Sequence, residues 1–286
     1  EMCIRDSMER QGGVPERALP AQAVLLCTDQ GDLPGVISNK SHHATTPDEK
    51  YTVVPYTQLT LDAGFSSKAE AEAAGVRVGT PVVYQPRVLE LAGGRIAGTA
   101  IDDRAGCAAL IALAEARLGK SGPTIHVVWS VQEEHNLRGV LPVATALAPD
   151  IALCVDTMLA TDTPEVEARG DVALGGGPAM SMFSFHGRGT LNGVIPHPAL
   201  VALKEASAQR AGQPLQRSAH TGLLTDLSYI QFMGPEGVAC LDIGVPVRYS
   251  HSALEVADLA DISALVALLD AALDGITPDL ELTRAP

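Results

Sequence analysis

The stretch Ala100-Ile-Asp-Asp-Arg-Ala-Gly-Cys-Ala-Ala-Leu-Ile-Ala-Leu-Ala-Glu-Ala-Arg-Leu118-Gly119 decides the fold. From Arg104 to Leu118 its apolar residues recur at helical spacing, and Gly119 closes the helix. Downstream, residues 124–131 and 151–155 read as strands, 197–211 and 224–232 as helices, 237–243 as a strand and 261–273 as the last helix. Strands alternating with helices predict a layered α/β domain with a mainly parallel central sheet. Upstream the texture is different. Short strand-like pieces at 21–27, 34–37, 51–54, 58–61 and 80–84 surround one helical interlude at 67–74, and a polar turn occupies 28–32. Such close spacing predicts a small β-rich, barrel-like domain. The expected organisation is therefore a non-native or disordered leader over 1–7, the β-rich domain over 8–92 and the α/β domain over 93–286.

Composition narrows the function classes. The 286 residues are 46% hydrophobic and 19% charged, with only 3% aromatic, so the core is built from Ala, Val, Leu and Ile. Twenty Lys and Arg against 34 Asp and Glu leave a formal charge of −14. That balance repels phosphate backbones and anionic lipid, which argues against nucleic-acid or membrane partners. The most apolar helical segment, 262–273, is interrupted by Asp270 and is too short to span a bilayer. Five cysteines (Cys3, Cys27, Cys107, Cys154, Cys240) stand far apart with no Cys-x-x-Cys pair, which fits neither a disulfide framework nor a zinc knuckle. Cys107 and Cys154 lie in apolar runs and read as small buried hydrophobes. No secretory signal is read in the first ten residues, so the expected compartment is the cytoplasm.

Four acidic or imidazole features stand near expected strand ends, where α/β sheets place their sites. They are Asp102-Asp103, Glu133-Glu134, Asp156 and His251. Taken singly, each has an ordinary explanation: a helix N-cap, a solvated pair, a turn residue and a satisfied histidine. Together they supply hard oxygen donors and an imidazole, a set suited to Zn²⁺, Co²⁺ or Mn²⁺. Like-charged carboxylates crowded at one mouth call for a neutralising cation. Of two adjacent glutamates, one can ligate while the other acts on water.

At these residues the sequence resembles the tetrahedral, glutamyl-aminopeptidase-like dinuclear metallopeptidases. The matching stretches are Ala100–Gly106, Ser130–Gly139, Asp156, Gly175–Pro178, Thr225-Asp226, Gly244–Ser252 and Glu255-Val256, in order across nearly the whole chain. The resemblance implies that Asp102 bridges two ions and that Asp103 follows it through a cis peptide. It implies Glu133 as general base, Glu134 and His251 as ligands of one ion, and Asp156 as ligand of the other. Arg248 and Tyr249 would shape the substrate side. The implied reaction is release of N-terminal residues from peptides with a free N-terminus, by metal-activated water. The implied cofactor is two divalent ions, Zn or Co, and the implied assembly is a homo-oligomer from dimer to dodecamer, mediated by the β-rich domain.

Two departures qualify the match. The family's His-x-Asp motif, which supplies one metal ligand, is not found upstream of the region that matches the small domain, so the expectation is a chain lacking that N-terminal segment and holding only one ion tightly. His42 and His43 are the nearest substitutes and fall inside the region matching the small domain. His135 and Asn136 replace small residues. Two other readings follow: a catalytically impaired or structural subunit of such an assembly, and a related co-catalytic metal amidohydrolase. The Gly175–Gly177 run reads either as a support for substrate backbone or as a plain tight turn.

Overall fold

The structure, a computed structural model, describes residues 6–186 and 193–283. Cys3 and most of the expected leader lie outside the described residues. The chain divides into two compact units. One runs to Leu89 and also holds Gly98–Ala100 and His251–Glu255; the other holds Glu90–Ala97, Ile101–Ser250 and the chain from Val256 on.

The first unit contains β1 (Asp6–Ser7), β2 (Ala23–Thr28), β3 (Gly31–Ile37), β4 (Thr60–Asp62), α1 (Lys68–Ala73) and β5 (Val82–Tyr84). Its sheet has the order β1-β4-β3-β2-β5, with every pair antiparallel. Thr28 faces Gly31 across a two-residue loop, and Thr28 Oγ1 donates to the Gly31 carbonyl at 2.7 Å. The hairpin is thus tighter than the five-residue turn expected from composition. Alternate residues Val24 and Leu26 point into a small core with Ile37, Leu59 and Leu61. Ser67 caps α1 by accepting from the Glu70 N–H, as an N-cap serine should. Two expectations are corrected here. The strand order is an open path from β1 to β5, with no closing pair among the described residues, so the sheet is not shown as a barrel. Residues 51–54 are not a strand: Glu49–Tyr51 make a single 3₁₀ turn, Tyr51 is 94% exposed, and Val54 packs against the small core without joining a ladder among the described residues.

The remaining elements are β6 (Val88–Glu90), β7 (Arg95–Gly98), α2 (Ile101–Arg117), α3 (Val140–Leu147), β8 (Ile151–Leu159), β9 (Ala179–Phe185), β10 (Gly193–Val194), α4 (Pro198–Ala211), β11 (Gln216–Thr221), α5 (Leu227–Ile230), β12 (Ala239–Arg248), β13 (Glu255–Asp258) and α6 (Leu259–Leu273). They build an eight-stranded sheet ordered β10-β9-β12-β13-β7-β6, with β11 on β9 and β8 on β12. Its centre is β12, which runs parallel to β8 over nine residues, from Ala239 opposite Ile151 to Val247 opposite Leu159. β12 is antiparallel to β9 and to β13, and β11 is parallel to β9. The α/β class holds, but the expected mainly parallel sheet is mixed. The reason is local: β13 returns from β12 through a short loop, which permits only antiparallel pairing, because a parallel return needs a long crossover.

Residues 124–131 are also corrected. They form no strand, and no ladder partner reaches them among the described residues. Ile125, Trp129 and Val131 stay exposed, so the apolar run that suggested a buried strand is not buried. Cys107, expected inside, is exposed on α2.

Alternation along β12 separates two packed layers. Leu241, Ile243, Val245 and Val247 join Ala109 and Leu113 of α2, Leu200 of α4, and Leu265 and Leu268 of α6 in the main core. Cys240 packs on the other side with Val140 and Ala144 of α3 and Leu227 and Ile230 of α5. Among the described residues, no helix is long and apolar enough to cross a membrane.

Candidate metal centre

Asp102 and Asp103 enter α2 with non-helical dihedrals, so the regular helix starts after them. Their peptide bond is cis. Asp103 does act as a cap: its Oδ1 accepts from the Gly106 N–H at 2.9 Å, and a side chain at Gly106 would collide with that carboxylate. Asp156 projects from β8, its Oδ1 accepting from the Thr157 N–H at 2.6 Å. Its partner across the ladder is Gly244, where any Cβ would strike the Asp156 carbonyl.

Asp102, Asp103 and Asp156 each offer a carboxylate oxygen, and these atoms lie within 4.8 Å of one another. An oxygen of Glu134 stands equally close to Asp102. Burial, then the charges of Asp102, Asp103 and Glu133, push the Asp156 pKa well above the usual carboxylate range. Glu133 is driven up to about 8 by burial first and then by Glu134, Asp226, Asp102 and Asp103. Carboxylates crowded enough for their charges to raise the Asp156 and Glu133 pKa values present hard oxygen donors at a spacing that fits a divalent cation.

The two glutamates ride on a loop that closes on itself. The Leu137 N–H donates to the Glu133 carbonyl and the Gly139 N–H to the Val131 carbonyl, both at 2.9 Å, while the Leu137 side chain is buried. Gln132, Asn136 and Leu137 all take positive φ, an uncommon conformation for non-glycine residues and one typical of functional loops.

The other expected residues fall as follows. His251, in the segment grouped with the first unit, also has positive φ; its N–H donates to Glu255 Oε1 at 2.7 Å. Gly13 leaves room for its ring, since a Cβ there would come within 2.7 Å of Nδ1. Arg248 is half-buried and bidentate on Asp162, with Nε and Nη2 both at 2.7 Å, and this pairing holds the Asp162 pKa down. Its guanidinium is therefore bound to protein. Tyr249 is 50% exposed, with φ of 62°. His42 and His43 are exposed on a 3₁₀ turn and join no ligand group among the described residues. The glycine run reads as a turn: Asp261 accepts from the N–H groups of Gly175 at 2.8 Å and Gly177 at 2.7 Å, so those donors are already used.

Sequence reasoning missed three residues. Asp242 is fully buried in β12; a carboxylate inside the apolar run Ala239-Cys-Leu-Asp-Ile243 was its signal. Asp261 looks like ordinary first-turn chemistry in α6. Ser130, whose Oγ donates to Asp226 Oδ2 at 2.6 Å, carried no signal of its own.

The comparisons agree with one another. The profile of the M42 glutamyl aminopeptidase family matches residues 7–268. A lysyl aminopeptidase of Pyrococcus furiosus is 31% identical over 271 residues, covering 93% of this chain and 74% of that protein. Aminopeptidase APDkam598 of Desulfurococcus kamchatkensis is 35% identical with a TM-score of 0.86, over 94% of this chain and 72% of its own. The TET1 peptidase of Pyrococcus horikoshii, which can assemble into a tetrahedron or a large octahedral shell, is 27% identical with a TM-score of 0.83, over 96% and 78%.

Proposed function

The chain belongs to the M42 glutamyl aminopeptidase family, and on that premise we propose that it is a metal-dependent aminopeptidase that removes N-terminal residues from peptides. The observation that carries this reading is the position of Asp102, whose carboxylate has Glu134 within 4.8 Å in one group and Asp103 and Asp156 within 4.8 Å in another. One carboxylate shared by two donor sets is how paired cation positions are built. Asp102 and Glu134 would hold one ion and Asp102 and Asp156 the other, with Zn²⁺ and Co²⁺ both suited to these donors. When bound, such ions supply Lewis-acid polarisation of the scissile carbonyl and of the attacking water.

The chain's own residues do the rest. Glu133 takes the proton of the attacking water and delivers it to the leaving amine nitrogen. It must be ionised to do so: burial first, then the charges of Glu134, Asp226, Asp102 and Asp103, raise its pKa, and cations held by Glu134 and Asp102 would offset part of that rise. Surplus carboxylate around the site also favours a substrate ammonium, which accounts for cleavage from the N-terminal end. Asp103 fixes the start of α2, and Asp162 holds Arg248 against the loop that carries Leu174, whose N–H donates to Asp162 at 3.0 Å.

The first unit's antiparallel sheet is assigned to homo-oligomer assembly, supported by the shells formed by the related TET1 peptidase. A cytoplasmic location is assigned on the cysteine pattern, five residues far apart in sequence with no Cys-x-x-Cys pair. The decisive experiment is Glu133→Gln. It should lower kcat about 10³-fold, within the range for general-base removal, while metal content measured by plasma emission stays at the wild-type level. Near-normal turnover with metal retained would sink the mechanism.

A further inference from the structure

The segment that delivers Glu133 and Glu134 has an unusual attachment. Residues 124–130 lie in no strand and make no backbone hydrogen bond among the described residues, so the usual fastening of a strand-borne site is missing. What ties this segment to the sheet is a series of side chains. Asp242, fully buried in β12, accepts at Oδ1 from Thr225 Oγ1 at 2.6 Å, and Thr225 is itself buried. The next residue, Asp226, accepts at Oδ2 from Ser130 Oγ at 2.6 Å. Three residues after Ser130 comes Glu133. β12 also faces Asp156 directly, through Gly244. One strand thus backs Asp156 by its ladder and the glutamate loop by its side chain.

We propose that Asp242, Thr225, Asp226 and Ser130 form a positioning strut that sets Glu133 and Glu134 at their working distance from Asp156. The proposal rests on the aminopeptidase reading for its kinetic consequence, but not for its structural one. Three observations support it. Both Oγ contacts are short and end on carboxylates, the stronger class of hydrogen bond. A buried acid such as Asp242 is costly, and its retention in an otherwise apolar strand calls for a use. Asp226 lies close enough to Glu133 for its charge to be felt there. None of the four is a catalytic residue; they act through the loop.

Misplacing a reacting group by about 1 Å costs up to roughly 10²-fold in rate. Ser130→Ala is therefore expected to lower kcat by about 10-fold, with KM within about twofold and metal content unchanged. Ser130→Thr, which keeps the hydroxyl, should restore kcat to within about twofold. The double variant Ser130→Ala with Asp226→Asn should be no slower than the slower single variant, because both cut one series. The chain's single tryptophan, Trp129, adjoins Ser130 and is half-exposed. Its time-resolved fluorescence anisotropy should show faster local motion in Ser130→Ala than in wild type or Ser130→Thr. A kcat within twofold of wild type, losses that multiply in the double variant, a defect confined to KM, or unchanged Trp129 motion would each overturn the strut. If the wild-type chain cleaves no peptide with a free N-terminus, the aminopeptidase reading fails by itself, and the anisotropy series still decides the strut.

Discussion

The two faces of β12 treat charge in opposite ways. On one face Leu241, Ile243, Val245 and Val247 pack against three helices, and the Leu200–Lys204–Ala208 stripe of α4 in that layer carries a charge, Lys204. It is wholly buried and its Nζ has no hydrogen-bond partner among the described residues, so desolvation alone lowers its pKa to about 7. The other face carries Asp242 and looks toward the carboxylates, where charges are many and raise one another's pKa. A lone buried charge among methyl groups is a stability cost with no chemistry attached. Crowded like-charged oxygens offer the kind of donor set that a cation would take. Burial is common to both, and only the company of a charge separates the two cases.

The largest test of that contrast is Lys204→Met. The folded pKa lies below the unfolded value of 10.5, so the unfolded chain binds more protons between pH 7 and 10.5 and wild-type stability rises with pH across that window. Below pH 7 the whole penalty is present. Lys204→Met should stabilise the protein by on the order of 4–5 kcal/mol at pH 6, and the gain should fade toward pH 11; urea midpoints at the two pH values measure it. An equal gain at both would show that Lys204 finds a partner. Next comes Leu241→Ala, one residue from Asp242 but on the apolar face. It should cost about 3 kcal/mol of unfolding free energy and leave metal binding by calorimetry unaltered. Loss of metal affinity in proportion to stability would mean the faces are not independent. The smallest effect is expected from Asp261→Asn, which removes one of two acceptors for the Gly175 and Gly177 N–H groups. About 1 kcal/mol should be lost, with KM nearly constant. A large rise in KM would return the glycine turn to the substrate side.

Those elements whose signal is local were legible in the sequence. The helix expected over 104–118 is Ile101–Arg117, the one over 261–273 is Leu259–Leu273, and the strand over 237–243 is contained in Ala239–Arg248 save for its first two residues. Apolar periodicity and caps determine those. Strand direction was not legible, because it depends on how long each return path is and which neighbour it reaches. Residues 124–131 misled for the same reason, since a β-branched run specifies a readiness to pair but not the presence of a partner. For the candidate site, residue types singled out Asp102, Glu133, Glu134 and Asp156, because hard oxygen donors in such numbers suit a cation, and the resemblance supplied their expected roles. The supports behind them were hidden: Ser130 and Asp226 are 96 positions apart, and a serine shows nothing in sequence of what it will touch. Lys204 was equally silent, an ordinary polar residue of an amphipathic helix until the helix is seen to bury that stripe.

Gly244 shows how little tolerance this arrangement leaves. Opposite it, the Asp156 backbone comes so near that a single methyl group would force β8 and β12 apart. The hydrogen at that α-carbon thus works as a gauge block, setting the inter-strand gap at the rung where Asp156 leaves the strand toward Asp102 and Asp103. Alanine there would alter no polar atom, yet it would shift the whole acidic cluster sideways. A silent-looking exchange of glycine for alanine is, at this position, a change of calibration.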